Sequence, residues 1–230
     1  MSGEQTIRAD GFEAILVRKA VKHVRVTILP PDGAVRVTAP NRFPEARIKA
    51  FLADHADWIR THSERVREKH RDEPRFFDTG ETVRVFGVPF TLLVTEGQKK
   101  NAVFPDGDRI VLALKGGSTP EKRKALLDAW RKERLQAEIK TLLPRWSERT
   151  GLVPSAWTVR DMTSRWGSCN PKTGRITLNL QLSRFPAICL EYVILHELAH
   201  LKVHGHGPDF KTLLTEYMPD WKERRKRLNA

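Results

Sequence analysis

Residues 186–210 read PAICLEYVILHELAHLKVHGHGPDF and contain the pattern His196-Glu-Leu-Ala-His200. The apolar residues around this pattern predict a buried helix over 186–204 that begins after Pro186. His196 and His200 lie four residues apart and therefore share one face of that helix. Two imidazoles at this spacing can bind a single metal ion, so we expect a metal site here.

Glu197 follows the first of these histidines. In this position it can take a proton from water at the metal instead of binding the metal itself. A catalytic zinc site usually has three protein ligands and one open position. His206 is the favoured third ligand, because a left-handed Gly205 would end the helix and turn the chain back towards the metal.

Two other residues compete for the third position. His204 lies four residues after His200, but a continuing helix would rotate it about 80° away from His196. Glu216, on the helix predicted next, is a downstream carboxylate of the kind that one class of zinc hydrolases uses. A metzincin assignment is weak, because that pattern requires glycine where Val203 stands.

The region before the metal-site helix predicts a β-hairpin, with strands over 158–162 and 175–182. Arg165 and Trp166 either line the cleft or hold the hairpin against the helix. The strand over 175–182 either pairs with an extended substrate, as edge strands do, or lies inside the sheet. Cys169 is interpreted as a buried reduced thiol in preference to a fourth zinc ligand.

The N-terminal part predicts short strands and one long helix. The strands predicted from β-branched residues and turn signals are 12–19, 24–29, 34–39, 78–97 and 103–114. We expect the first three to form a small antiparallel meander. The helix runs from Pro44 to about Asp72, and we interpret His55 and His62 on its apolar stripe as half-buried packing residues.

A Gly-Gly pair in Lys115–Thr119 makes this stretch the best candidate linker. Thr119 can cap a helix and Pro120 suits its first turn, so a helix is predicted from here, with Pro144 ending or kinking it and Gly151 as a stop. We expect an α+β fold in two parts. The β-rich part with the long helix covers 1–116, and the catalytic part with the hairpin and the metal-site helix covers 117–230.

The composition restricts the class of protein. The 230 residues include 41 Lys+Arg and 28 Asp+Glu, which gives a net charge of +13. We expect only weak, salt-sensitive and sequence-independent nucleic-acid binding, because acidic residues are interspersed among the basic ones. No apolar run is long enough for a membrane span, and neither a secretory signal nor a disulfide framework is expected from the N-terminal sequence and two cysteines. We therefore predict a cytoplasmic protein, and nothing in the sequence indicates its oligomeric state.

Several segments carry a family resemblance. In the second half they are Arg165–Cys169 (RWGSC), Ile176–Asn179 (ITLN), His196–Lys202 (HELAHLK), His206–Phe210 (HGPDF) and Pro219–Arg225 (PDWKERR). In the first half they are Pro30–Val37 and Ala53–Ile59. Together they resemble the YgjP-like metallopeptidase family, which is related to the SprT-like and Wss1-like zincins.

The resemblance implies a zincin-like catalytic core with a Zn²⁺ cofactor. The zinc ligands that it implies are His196, His200 and His206. It also implies that Glu197 is the catalytic base. Family members usually have Asn before the third histidine and Ser after it, whereas this chain has Gly205 and Gly207, so the turn is kept and the Ser hydroxyl is absent.

Three functions compete at this point. A zinc-dependent metallopeptidase is favoured, because the motif most often serves peptide-bond hydrolysis. A nucleoside triphosphate pyrophosphohydrolase is the alternative, since a family member is described as releasing pyrophosphate from UTP and the positive charge suits triphosphates. A structural zinc module is least favoured, because it would need a fourth His or Cys and would not need Glu197. Tyr217, His204 and Arg165 are the candidates for stabilising the oxyanion.

Overall fold

The structure is a computed structural model that describes residues 5–29, 32–69, 74–163 and 165–229. By its internal contacts the chain divides into two compact units, Met1–Glu73 and Pro74–Ala230. Both units combine helices with β-sheet, so the predicted α+β class is confirmed. The boundary that we predicted after residue 116 stays a prediction.

The helices and strands follow in chain order. The first unit contains β1 Gln5–Ala9, β2 Phe12–Lys19, β3 Arg25–Leu29, β4 Ala34–Pro40, α1 Glu45–Asp54 and α2 Ala56–Lys69. The second unit contains β5 Thr82–Val85, β6 Val88–Thr95, β7 Ala102–Asp106, β8 Arg109–Ala113, α3 Pro120–Thr150, β9 Ala156–Arg160, β10 Gly167–Asn170, β11 Arg175–Asn179, a 3-10 helix Leu180–Arg184, α4 Ala187–Ala199, α5 Pro208–Tyr217 and α6 Trp221–Asn229.

The sheet of the first unit has the strand order β1-β2-β4-β3. The expected antiparallel meander is wrong, because β2 and β4 pair in parallel, with Ala14 opposite Val35. The reason lies in burial: β4 places Val35, Val37 and Ala39 in the core, whereas β3 has no fully buried residue. The strand with more buried residues is therefore central, and β3 lies at one edge.

The expected long helix is present as two helices that meet at His55. The backbone N–H of His55 donates to the Leu52 carbonyl at 3.3 Å, and its ring Nδ1 donates to the Phe51 carbonyl at 2.8 Å. His55 is consequently exposed and not half-buried as predicted, whereas His62 is half-buried. Residues 70–72 of the predicted helix lie outside the described residues.

In the second unit, the turn between β5 and β6 supports the segment that leads into α4. The N–H groups of Phe86 and Gly87 donate to the carbonyls of Ser183 and Arg184, at 2.8 and 3.1 Å. Gly87 has a φ of +84°, and a Cβ there would lie 2.7 Å from Pro186 Cγ. Only glycine suits both the left-handed conformation and this close approach, so a side chain at residue 87 would clash with Pro186 at the start of α4.

The 31-residue helix α3 confirms the predicted capping signals. The Thr119 side chain accepts from the Lys122 N–H, and Gly151 ends the helix with a φ of 69°. Leu127 packs with the β5–β8 sheet. The α3 residues that instead pack around α4 are Leu135, Ile139, Leu142, Leu143 and Trp146. Among the described helices, α3 included, none is long and apolar enough to cross a membrane.

The third sheet positions the segment beside the candidate site. Its strand order is β10-β11-β9. A hairpin is present, but the predicted pairing of 158–162 with 175–182 is wrong. β9, which covers most of the first predicted strand, pairs in parallel with β11, and the antiparallel partner of β11 is β10, which a turn at residues 170–174 joins to it. β11 therefore lies inside the sheet, and β10 and β9 lie at its two edges. Asn179, at the end of β11, donates from Nδ2 to the carbonyls of Met162 and Arg165 at 2.7 Å each. It thereby fixes the chain that leads into β10.

Candidate metal centre

Helix α4 places two polar side chains in an otherwise apolar environment. Its buried residues are Cys189, Leu190, Tyr192, Val193, Ile194, Leu195, Glu197, Leu198 and Ala199. His196 is half-buried on the same helix. Because apolar packing surrounds α4, the positions of His196 and Glu197 are fixed by the core and not by a mobile surface loop.

The helix is shorter than the sequence predicted. It ends at Ala199, with His200 as its C-terminal cap, so the predicted extension to residue 204 is wrong. The N–H of Val203 still bonds to the Ala199 carbonyl at 2.9 Å, which closes one last turn. Gly205 has the predicted left-handed conformation, with a φ of +79°, but it redirects a chain that has already left the helix. His206 follows directly after that turn.

The structure brings His196, His200 and His206 together. His196 Nε2 lies 3.3 Å from His200 Nε2 and 3.2 Å from His206 Nε2. Two nitrogens about 2.0–2.1 Å from one tetrahedral zinc ion lie about 3.3–3.4 Å apart. Among the described residues, these three form the one group of His, Cys, Asp or Glu side chains close enough to hold a metal. The donor set and its spacing both fit zinc.

Neighbouring groups orient two of these rings. His200 Nδ1 lies 3.2 Å from the Val203 carbonyl, which can only accept, so Nδ1 carries the proton and Nε2 presents its lone pair to the centre. His196 Nδ1 lies 3.5 Å from the Tyr192 hydroxyl. Burial and then the neighbouring imidazoles lower the pKa of His196 to about 3, and burial lowers the pKa of His200. Both rings are therefore neutral at pH 7, which is the form that binds metal.

Phe210 packs against all three imidazoles. Its ring centroid lies 4.6 Å from that of His200 in a stacked arrangement, and 4.9 Å from those of His196 and His206. No role for Phe210 itself was predicted from the sequence. Pro208 begins α5, and this start places Phe210 in the first turn facing the histidines.

Glu197 is 4% exposed, and its carboxylate lies beside β10. A Cβ on Gly167 would be 2.5 Å from Glu197 Oε1, so the missing side chain of Gly167 makes the space for this carboxylate. Burial raises the pKa of Glu197 to about 8, against an opposing effect of the Arg165 charge. A cation at the three imidazoles would favour the ionised carboxylate. No role for Gly167 was predicted from the sequence, although a glycine inside a strand often indicates such a close approach.

The competing ligand candidates lie elsewhere. His204 and Glu216 are both exposed, and neither belongs to the group formed by the three histidines. Cys169 is half-buried on β10 and is outside that group too, and burial followed by the Glu197 charge raises the pKa of its thiol. Cys169 is a free thiol, but it is half-buried and not buried as predicted.

A cleft of about 720 Å³ opens over the histidines. Its lining residues outside the histidines and Glu197 are Arg165, Trp166, Gly167, Ser168, Cys169, Tyr192, Val193, Phe210, Lys211, Leu214, Trp221, Arg225, Leu228 and Asn229. Of the three candidates for stabilising the oxyanion, Arg165 lines this cleft, whereas Tyr217 lines a separate depression beside Arg149. Trp166 both lines the cleft and reaches α6, where its Nε1 donates to Asn229 Oδ1 at 3.3 Å.

Two solved structures of metallopeptidase zymogens are similar to the chain. Jannalysin from Methanocaldococcus jannaschii is 26% identical, with a TM-score of 0.36, over 39% of this chain and 92% of that one. Abylysin from Pyrococcus abyssi is 24% identical, with a TM-score of 0.37, over 39% of this chain and 90% of that one. No curated protein sequence matches the chain.

The family comparison covers much more of the molecule. The model of the YgjP-like metallopeptidase domain matches residues 22–230, which include the three histidines, Glu197 and Gly167. The chain therefore belongs to the YgjP-like metallopeptidase family.

Proposed function

We propose that this protein is a zinc-dependent metallopeptidase, with Glu197 as its general base. The zinc ligands in this proposal are His196, His200 and His206. The observation that carries it is the spacing of the Nε2 atoms, 3.2 and 3.3 Å, which suits tetrahedral zinc. Membership of a metallopeptidase family supports the peptide bond as substrate. All four residues lie in 117–230, which we propose as the catalytic part.

Zinc, when bound, supplies Lewis-acid chemistry that makes water a nucleophile near neutral pH. The protein's own contribution is proton transfer and positioning. Glu197, held in place by α4 and by the space at Gly167, accepts the proton of the attacking water at a carboxylate oxygen and delivers it to the leaving amine. Arg165 lines the cleft and is our candidate for stabilising the negative charge that develops on the carbonyl oxygen.

A second candidate function is hydrolysis of nucleoside triphosphates to release pyrophosphate. The observation that favours it is the presence of Arg165, Lys211 and Arg225 around the same cleft, because cations stabilise phosphate oxygens. It would use the same histidines and the same proton acceptor.

The decisive experiment compares the two substrates on one preparation. The protein is stripped with a chelator, reloaded with Zn²⁺ or left metal-free, and assayed against denatured protein and nucleoside triphosphates in parallel. We expect peptide release from the zinc-loaded protein only. Pyrophosphate release without proteolysis would replace the proposal by the second candidate. A cytoplasmic location and weak, salt-sensitive binding of single-stranded DNA remain predictions.

A further inference from the structure

Cations surround the cleft from three separate elements. Arg165 comes from the segment before β10, Lys211 from α5 and Arg225 from α6. All three are exposed, and none forms an ion pair with another described residue. Among the described lining residues, Glu197 has the only carboxylate, and it is 4% exposed. The accessible lining of the cleft is thus positively charged.

The positive surface continues beyond the cleft. An adjoining depression of about 450 Å³ is lined by Lys211, Trp221, Lys222, Arg225, Lys226 and Asn229. It shares Lys211 and Arg225 with the cleft, so the two form one continuous surface. No acidic residue belongs to its described lining. A substrate that extends out of the cleft over α6 would therefore meet two further positive charges, those of Lys222 and Lys226, and no negative charge from the described lining.

Acidic residues on neighbouring elements do not line the cleft. Asp220 and Glu191 both bind Arg224, at 2.8 and 2.6 Å, on a different depression from the cleft. Glu223 on α6 and Asp209 on α5 lie outside the lining of both the cleft and the adjoining depression. Among the described lining residues, Lys211 and Arg225 thus have no exposed carboxylate beside them, and the buried Glu197 carboxyl is the one acidic group that the Arg165 charge acts on.

We propose that Arg165, Lys211 and Arg225 make the cleft selective for acidic peptides, with Asp or Glu side chains flanking the scissile bond. This inference rests on the proposed peptidase function and names its substrate class. Complementary charge accelerates encounter and fixes register, whereas a substrate with Lys or Arg beside the bond is repelled. The three cations come from three separate elements, so carboxylates spread along an extended chain can each meet one of them.

The test compares matched peptides that are acetylated and amidated, so that terminal charges play no part. One series has Glu on both sides of the cleaved bond, and the other has Gln at the same positions. For the zinc-loaded full chain at low salt, we expect kcat/KM to favour the Glu peptide by about 10-fold or more, with the ratio falling as salt is added. The double variant K211Q/R225Q should reduce the ratio to about 2-fold or less. The matched control is R227Q, because Arg227 is an exposed arginine of α6 that does not line the cleft. This variant should keep the ratio.

A binding measurement separates this inference from the peptidase proposal. Fluorescently labelled Glu and Gln peptides are titrated by anisotropy with the metal-free protein, its K211Q/R225Q variant and its R227Q variant. A Glu preference that the double variant loses, with no cleavage by the zinc-loaded protein, supports acidic-ligand selectivity and refutes the peptidase. Equal binding and equal cleavage of the two peptides overturn the inference. A nucleoside triphosphate that binds and is hydrolysed, while neither peptide binds, also overturns it.

Discussion

His62 of the first unit and His196 of the second both follow an aromatic residue by four positions, yet their environments differ. The His62 ring stacks on Trp58 with centroids 4.1 Å apart, and its Nδ1 donates to the Trp58 carbonyl at 2.8 Å. The His196 ring meets Tyr192 edge-on at 5.7 Å, and its Nδ1 lies near the Tyr192 hydroxyl instead of a backbone carbonyl.

This difference shows what turns a helical histidine into a candidate ligand. His62 and His55 each donate from Nδ1 to a backbone carbonyl of the preceding helical turn, and neither belongs to a group of possible metal ligands. His196 has a second histidine four residues later, and the Nδ1 hydrogen bond of His200 to the Val203 carbonyl turns its Nε2 towards that of His196. A second imidazole at i, i+4, oriented by its own Nδ1 hydrogen bond, is therefore what separates the two kinds of histidine.

The largest expected effect tests whether the residues around His196, unlike those around His62, carry out catalysis. Glu197→Gln keeps the size of the side chain but cannot accept a proton, so peptide hydrolysis should fall by about 10²-fold or more. Zinc content and the thermal unfolding midpoint should stay near wild type, as measured by metal analysis and calorimetry. Full activity with zinc bound would remove Glu197 from the mechanism, and loss of zinc would make it a ligand or an essential support.

The next prediction compares histidines directly by zinc affinity. His206→Ala removes one of three converging nitrogens, so we expect the affinity to fall by more than the about 10–100-fold typical of changes to outer groups. His62→Ala and His204→Ala should leave the affinity within about 2-fold, because neither belongs to the group of three. A competition titration with a chromophoric chelator measures all three. Zinc lost from His204→Ala but kept in His206→Ala would reverse the assignment of the third ligand.

Gly167→Ala tests whether the space beside Glu197 matters. The new Cβ would come within 2.5 Å of Oε1, and the carboxylate is the group that can yield. A displacement of about 1 Å can cost about 10²-fold in rate, so we expect that loss of kcat with zinc retained. Gly117→Ala, where no atom lies within 4 Å of the added Cβ, is the control and should keep full activity. Equal activity in the two variants would show that Gly167 has no part in positioning Glu197.

The smallest expected effect concerns the aromatic residue four positions before each histidine. Tyr192→Phe removes the hydroxyl 3.5 Å from His196 Nδ1, and zinc affinity should fall by about 10-fold or less. Trp58→Phe, at the corresponding place before His62, should not change it. The same chelator competition measures both, and an equal response would show that the Tyr192 hydroxyl does not support the centre.

Local signals explain what the sequence predicted well. The boundaries of α3 followed from Thr119, Pro120 and Gly151, because capping depends on residues next to one another in the chain. The meeting of His196 and His200 followed from helical geometry, which their i, i+4 spacing sets.

Long-range pairing and fine geometry were not predictable in the same way. The parallel pairing of β2 with β4 depends on which strand the core buries, and neighbouring residues carry little information about that. Helix α4 ends at Ala199, earlier than predicted, so the chain between His200 and His206 is not helical as expected. His206 still reaches the other two histidines, because Gly205 turns the chain in the left-handed conformation. The space that Gly167 leaves for Glu197 arises between two elements 30 residues apart, so a pattern within either one does not reveal it.

Helix α3 has a consequence for cooperativity. One continuous helix, about 46 Å long at 1.5 Å per residue, contributes Leu127 to the core of the β5–β8 sheet and Trp146 to the core around α4. The two cores cannot open independently without breaking this helix between them, so we expect them to unfold as one block in hydrogen exchange. A substitution that leaves a cavity in the core of this sheet, for example Ile110→Ala, would then lower the fraction of molecules with an intact metal site, although it changes none of the three histidines.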